Sequence, residues 1–345
     1  MRRLLFALLG VGLLLGTVLL LRQPDATLPQ ELLLPDLKAA INDVATIDIV
    51  NDGFKFSVER VQNEWVVPAV RSFPADFSQV RARLMRLAEA QIVDLKTSNP
   101  DFYPQLFLED PNRQGAQGTR VTLRAQEKVL ADIVIGKQVG EAFYVRTVDG
   151  TQTYLVKNIV PFPKTAKEWL TPTLTDIDQE RVARVSLSSG VAVERQSPFD
   201  LQFVFTGALS GKPLQDPYAA DGFGALFSYL QFDDVRPLQE VSALPVRYTA
   251  EVTTFDGLHL TLKLLEDNGT FWALLEARAV AVNTAQIAEK KPANAKRPLA
   301  LLEPPVVQNE IESLNKIAKK WAFKLQDFKI KRLQEKKESV LLGKR

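Results

Sequence analysis

The residues able to carry chemistry in this 345-residue chain are few, and each stands apart from the others. There is one histidine, His259, in Gly257-Leu-His-Leu-Thr261, and no cysteine. A Ser-His-Asp arrangement would have that single base, and a catalytic base needs an acid and a nucleophile beside it. The alternating pattern around His259 reads as a solvated strand position, and nothing adjacent flags partners. Without cysteine there is no disulfide framework, thiol nucleophile, zinc knuckle or iron–sulfur cluster. The segment Gly207-Ala-Leu-Ser-Gly211-Lys212-Pro213 has three residues between its glycines and proline after the lysine. A phosphate loop has four, with Ser or Thr after the lysine, so this reads as a connecting loop. Asp233-Asp234 and Glu109-Asp110 are adjacent carboxylates beside Pro237 and Pro111. Metal binding or acid–base work needs carboxylates converging from several elements, so both pairs read as solvated loop charges. Asp52, Asp149 and Asp256 each precede glycine, which suits turns, and Asn268-Gly-Thr270 reads as a hairpin turn. These residues define no catalytic, cofactor or metal site.

The composition is that of a globular protein, 46% hydrophobic and 24% charged, with a formal net charge of +2. That total hides an asymmetry. Residues 283–345 hold 15 Lys and Arg against 7 Asp and Glu, while the rest of the chain is slightly acidic. Lys316, Lys319, Lys320, Lys324, Lys329, Lys331, Arg332, Lys336 and Lys337 suit either the solvated face of helices or an anionic surface. They are not interleaved with stacking aromatics, so they do not read as a nucleic-acid surface.

Residues 4–21 (LLFALLGVGLLLGTVLLL) carry no charge, with Arg2 and Arg3 before them and Arg22 after. As a helix they would span roughly 27 Å, close to a bilayer core. The charge pattern predicts an uncleaved inner-membrane anchor over 1–22 with its N-terminus cytoplasmic and the bulk of the chain periplasmic. A cleaved signal peptide is the alternative, but Pro24 and Ala26 make a poor cleavage site. The proline-containing residues 23–42 read as a stalk.

Beyond the stalk the chain predicts an α+β fold in two tandem related units, 43–172 and 173–282. Val44–Val50 and Phe54–Arg60 alternate around Asn51-Asp52-Gly53, a tight-turn signal. Glu64–Val67 follows as a strand. Residues 75–90 then take helical spacing, with Phe77, Val80, Leu84, Leu87 and Ala88 on one face. Ile92–Leu95 returns to strand. A meander follows over Arg120–Arg124, Val129–Ile135, Ala142–Arg146 and Thr153–Val156. The pattern recurs about 135–140 residues later, a duplicated-domain spacing far longer than a solenoid repeat. In the second unit Val182–Ser188, Val191–Arg195 and Leu201–Phe205 are the strands, Tyr218–Leu230 the helix and Val235–Val241 the returning strand. Val246–Phe255, Leu258–Leu265 and Thr270–Ala279 form its meander. Residues 283–305 read as a polar, basic loop and 306–345 as a basic helical segment. Within it, Trp321–Leu325 also alternates as a strand before a final helix over Asp327–Leu342. A continuous coiled coil over 306–334, with Val307, Ile311, Leu314, Ala318, Trp321, Leu325 and Phe328 as its seam, is the alternative.

Read in order, these segments resemble a family of bacterial envelope proteins, domain-of-unknown-function family 4340. The motifs are Val44, Ile47 and Ile49; Phe56–Arg60; Glu64–Trp65; Leu106, Leu108, Asp110 and Pro111; and Val121–Leu123. Ile135–Lys137, Tyr144–Arg146, Tyr154–Val156 and the segment from Trp321 and Phe323 through Lys329, Leu333, Leu341 and Leu342 complete the set. The resemblance implies a membrane-anchored periplasmic accessory or scaffold protein beside a gliding-motility-type ABC permease and its ATPase. It implies a context more than a chemistry; the residues themselves show no catalytic motif and suggest no cofactor. Two other functions fit the pattern. One is a solute- or glycan-binding module using the cleft between the units; the other is an envelope glycan hydrolase using paired carboxylates.

Overall fold

The computed structural model describes residues 31–216, 218–282 and 300–341. The predicted anchor over 1–22, most of the stalk and most of the basic loop lie outside the described residues.

In the first unit, strand β1 (Thr46–Asn51) places Ile47 and Ile49 in the core, where neither is exposed to solvent. β2 (Phe54–Val61) pairs with it antiparallel, Ile47 opposite Val58 and Ile49 opposite Phe56. Asp52 and Gly53 form the two-residue turn, both at positive φ (+49° and +77°), which matches the right-handed twist of the strands they join. β3 (Glu64–Val67) follows, and then a helix, α1 (Phe77–Ala88). Asp76 caps α1 by accepting hydrogen bonds from the Ser78 and Gln79 backbone N–H groups at 2.9 and 3.3 Å. Val80, Leu84, Leu87 and Ala88 are buried as the spacing requires, whereas Phe77 stays 61% exposed at the first turn.

With β4 (Phe73–Pro74), β5 (Gln91–Leu95), β6 (Thr119–Ala125), β7 (Lys128–Val139), β8 (Ala142–Thr147) and β9 (Thr153–Lys157), the strands make a nine-stranded sheet. Its order is β3-β2-β1-β6-β7-β8-β9-β5, with β4 at the end beyond β3.

The second unit uses β10 (Thr173–Thr175), β11 (Val182–Leu187), β12 (Ala192–Glu194), β13 (Val204–Phe205) and β14 (Leu230–Pro237). β15 (Val246–Thr254), β16 (Leu258–Asp267), β17 (Thr270–Ala279) and β18 (Trp321–Leu325) complete it. Its order is β13-β12-β11-β15-β16-β17-β18-β14, with β10 at the end beyond β14. Apart from the short end strands, the two sheets follow one path.

The predicted α+β fold with a wholly helical C-terminal tail is overturned, and the predicted membrane-spanning helix falls on residues outside those described. The described chain is dominated by two antiparallel sheets, and its helices are few and mostly short. Among the described residues no helix is long and apolar enough to cross a membrane. The helix expected over Tyr218–Leu230 shrinks to α2 (Ala219–Gly224). Gly222 and Gly224 weaken the helix, and a Cβ at Gly224 would collide with the Phe203 ring. The returning strand runs over Leu230–Pro237, earlier than expected, and Leu238–Val241 turns into helix α3.

The C-terminal segment is not wholly helical, and the strand expected over Trp321–Leu325 forms as β18. Helix α4 (Pro304–Ala318) leads into β18, which lies between β14 and β17. The coiled-coil alternative fails at the same place. Trp321, Phe323 and Leu325 are buried, and aromatic residues favour a pleated ladder. Burying each contributes about 1.5–3 kcal/mol. The final helix is split into α5 (Asp327–Leu333) and α6 (Lys337–Val340).

The segment Val67–Ala75 groups with the second unit. There Phe73 packs edge-on against Phe232, Trp321 and Phe323, with ring centroids 5.1–6.3 Å apart.

Candidate functional site

The clearest concavity is in the first unit, a cleft of about 540 Å³. That volume lies in the range of small-molecule sites. Pieces of chain distant in sequence build it: the β1–β2 turn, the connection 96–118 between β5 and β6, the outer end of β7 with Phe143 of β8, and the segment 161–164 after β9.

The connection is clamped to the sheet by Arg146 on β8. Its Nε donates to the Leu108 carbonyl at 2.9 Å, and its guanidinium lies 5.0 Å from the centroid of the Tyr103 ring. The Tyr103 hydroxyl donates to the Thr151 carbonyl at 2.7 Å. This clamp carries the Leu106 and Phe107 carbonyls so close to the sheet that a Cβ at Gly136 or Gly118 would collide with them. Glycine at 136 is therefore set by close backbone approach. The β7–β8 register shifts between Ile135 and Gln138, a bulge that frees Gly136 and Lys137 from the ladder. Lys137 turns its ammonium over the Phe107 ring, 5.9 Å from the centroid. Phe107 itself holds a left-handed backbone conformation, φ +58°, at the end of a short helical turn.

Across the cleft, the Asp52 carboxylate accepts the Gly115 backbone N–H. Beside it Asn51 Oδ1 is buried and accepts no hydrogen bond. Lys164 Nζ donates to the Gln117 carbonyl at 3.2 Å. Ile135, Phe143, Pro161 and Phe162 supply apolar wall. The cleft thus pairs two ammonium groups and an unpartnered amide oxygen with an aromatic lining. Such a site can hold a ligand; it shows no nucleophile–base pair.

The residues singled out by sequence fall elsewhere. His259 sits on β16, with Thr253 Oγ1 3.1 Å from Nδ1 and Thr261 Oγ1 3.4 Å from Nε2. Burial, and after it the Arg278 charge, pushes its pKa below the usual histidine value. Gly207–Leu209 form a short 3₁₀ turn, and Leu214 bridges to Leu341. Asp233 and Asp234 lie within strand β14, where a loop was expected. Asp234 pairs with Arg71 at 3.6 Å.

Glu109 accepts the Gln117 N–H at 3.2 Å. Asp110 is held below the ordinary carboxylate range by hydrogen bonds from the backbone and side chain of Asn112. Among the described residues no group of three His, Asp or Glu side chains is placed to hold a metal. Asn268 and Gly269, at φ +49° and +81°, make the β16–β17 turn.

Two readings change in kind. Asp256 is more than a turn residue: its buried carboxylate meets Arg181 Nε at 2.7 Å and the Leu302 N–H at 3.0 Å. Glu310 on α4 completes that network, 2.7 Å from Arg181 Nη2. The basic tail is not one solvated face. Lys329 is buried, donating to the Leu226 and Ser228 carbonyls at 2.9 Å each, and burial lowers its pKa. Arg332 stacks 3.9 Å from the centroid of Phe223. Phe328, one residue of the expected apolar seam, is 61% exposed.

Ile135–Lys137 and Asn51–Gly53 show as a strand motif and a turn in the sequence, with nothing that marks a site. The glycine interrupting an alternating strand was the usable signal for Gly136. Nothing local marked Lys164 or Asn51.

The described chain is therefore a double antiparallel-sheet protein with a ligand-sized cleft in its first unit. Residues 65–224 match a family described as Domain of unknown function (DUF4340). No curated protein and no solved structure matches the chain.

Proposed function

We propose that this chain is a binding and scaffolding protein of the bacterial envelope, acting without covalent chemistry as an accessory to an ABC-type transport system. The single observation that carries the binding role is the first-unit cleft, concave, largely apolar and supplied with a few convergent polar groups. The family resemblance supports the transporter context. The uncharged run 4–21, flanked by arginines, supports targeting to the inner membrane. The cysteine-free composition is compatible with a periplasmic location for the body.

The test is affinity capture of the full-length chain from detergent-solubilised native membranes, with mass spectrometry of retained proteins and small molecules. Permease and ATPase subunits in stoichiometric yield are expected, with a small molecule that is absent when Phe143→Ala opens the cleft wall. A chain recovered without transporter subunits would overturn the accessory role. One recovered with no small molecule would overturn the binding role.

A further inference from the structure

Resting on the reading of the first-unit cleft as a binding site, we infer that its ligand is an anionic amphiphile with an N–H or O–H donor near its charged end. The charge balance points to an anion. Lys137 and Lys164 both line the cleft, and the one carboxylate among the lining residues, Asp52, is already engaged by the Gly115 N–H. The Lys137 ammonium rests over the Phe107 ring and Lys164 reaches the Gln117 carbonyl. Each therefore retains donor capacity, since an ammonium has three N–H groups. A carboxylate or phosphate entering between them would gain charge-assisted hydrogen bonds.

The donor requirement comes from Asn51. Its Oδ1 is buried beside Asp52 and has no partner, and a buried acceptor left empty costs about 1–3 kcal/mol. A ligand N–H or O–H within reach would remove that cost. The apolar body follows from the remaining wall, where Ile135, Phe143 and Phe162 are buried side chains facing the same space. A free inorganic anion would leave that wall uncovered, and a neutral lipid would leave both ammonium groups unpaired.

The test is calorimetric titration of the whole chain with N-octanoylglycine, which carries a carboxylate, one amide N–H and an eight-carbon chain. Its neutral methyl ester and the tail-less N-acetylglycine serve as comparisons. The acid is expected to bind and the other two to bind at least tenfold more weakly. K137Q and K164Q should each weaken the acid about tenfold, whereas K128Q, a surface lysine on β7 away from the cleft, should not. Affinity for the acid should also fall as salt rises from low to physiological strength.

K164Q removes the contact to Gln117, so thermal melts accompany every variant. K137Q keeps the test decisive if K164Q proves unstable. Equal binding of ester and acid would overturn the anion inference while leaving the cleft a binding site. Tight binding of N-acetylglycine would instead identify a small-anion site and overturn the amphiphile. Absence of binding by all three compounds would overturn the inference. If the membrane capture also returned no small molecule, the cleft reading would fall with it.

Discussion

The two units follow one strand path but place their long connection at different points along it. In the first, β5 is joined to β6 by residues 96–118, and the turn between β8 and β9 is short. In the second, the equivalent β14–β15 link is residues 238–245, and the long excursion comes between β17 and β18. The consequences differ in kind. The first unit's connection stands over a bulged strand end and leaves a cleft. The second unit's excursion returns as α4, packs on β17 and is fastened by buried polar contacts. There the Asn315 side chain accepts from the Ala277 N–H at 3.0 Å and donates to its carbonyl at 2.7 Å. The β16–β17 ladder beneath is unbroken from Leu258–Ala279 to Asp267–Thr270. The counterpart pair in the first unit, β7 and β8, is interrupted at Gly136 and Lys137. One path thus yields a cleft beneath the connection in one unit and a helix packed on the sheet in the other, according to where the chain was lengthened.

That contrast breaks most sharply at the buried Arg181–Asp256–Glu310 network. Asp256→Ala removes a carboxylate whose side chain is 2% exposed and leaves Arg181 with Glu310 alone. Losing one partner of such a buried pair costs about 3–5 kcal/mol. Chemical denaturation should show the loss, and hydrogen exchange should locate it in α4 and β15–β17. A loss of protection spreading equally through β6–β8 would mean that the two units do not unfold independently.

Gly136→Ala is the matching probe of the first unit. Its Cβ meets the Leu106 carbonyl, and the overpacking should cost about 1–3 kcal/mol. Exchange should accelerate in residues 103–118 with β15–β17 unchanged. An alanine variant as stable as the parent would show that the connection yields freely and that the cleft is not held rigid.

Asn315→Ala should cost about 1–3 kcal/mol by leaving both backbone groups of Ala277 unpaired near the α4–β17 contact. Binding of N-octanoylglycine in the first unit should be unaffected. A change in that affinity would couple the two insertions.

The smallest effect expected is at His259. Burial and Arg278 depress its pKa in the fold, against the opposing charges of Glu251 and Glu276. The unfolded chain therefore takes up the proton first. The stability from the neutral ring is fully present above the unfolded value near 6.5 and is lost as pH falls through the depressed folded value. His259→Gln should flatten the decline in stability between about pH 7 and pH 5. An unaltered pH slope in that variant would show that the histidine is not coupled to folding.

Local patterns were legible where one short segment decided the outcome. The alternation of Ile47 and Ile49, the Asp52-Gly53 turn and the Asp76-capped helix all follow from residues within one turn or strand. Legibility failed where two distant segments had to agree. Trp321–Leu325 alternates like a strand and spaces like a helix, and only an open position between β14 and β17 selects the strand. Tyr218–Leu230 has helical spacing, but the nearness of the Phe203 ring demands glycine at 224, which shortens the helix.

The cleft residues belong to the same class. Asn51, Gly136 and Lys164 are ordinary letters in ordinary segments, and their meeting is a product of the connection 96–118.

By itself the sequence determined the antiparallel hairpins, the charge asymmetry, the lack of thiol chemistry and the match of residues 65–224 to a domain of unknown function. Those follow from composition, from period-two burial and from turn residues, all local in the chain. The tertiary structure alone decided that the C-terminal segment supplies an interior strand, that Lys329 and Arg332 pack on the second unit and that the first unit carries an open cleft. Strand pairing between segments as far apart as Phe232 and Leu325 depends on which ladder position is vacant and which side chains fill the space. No neighbouring residues encode that vacancy.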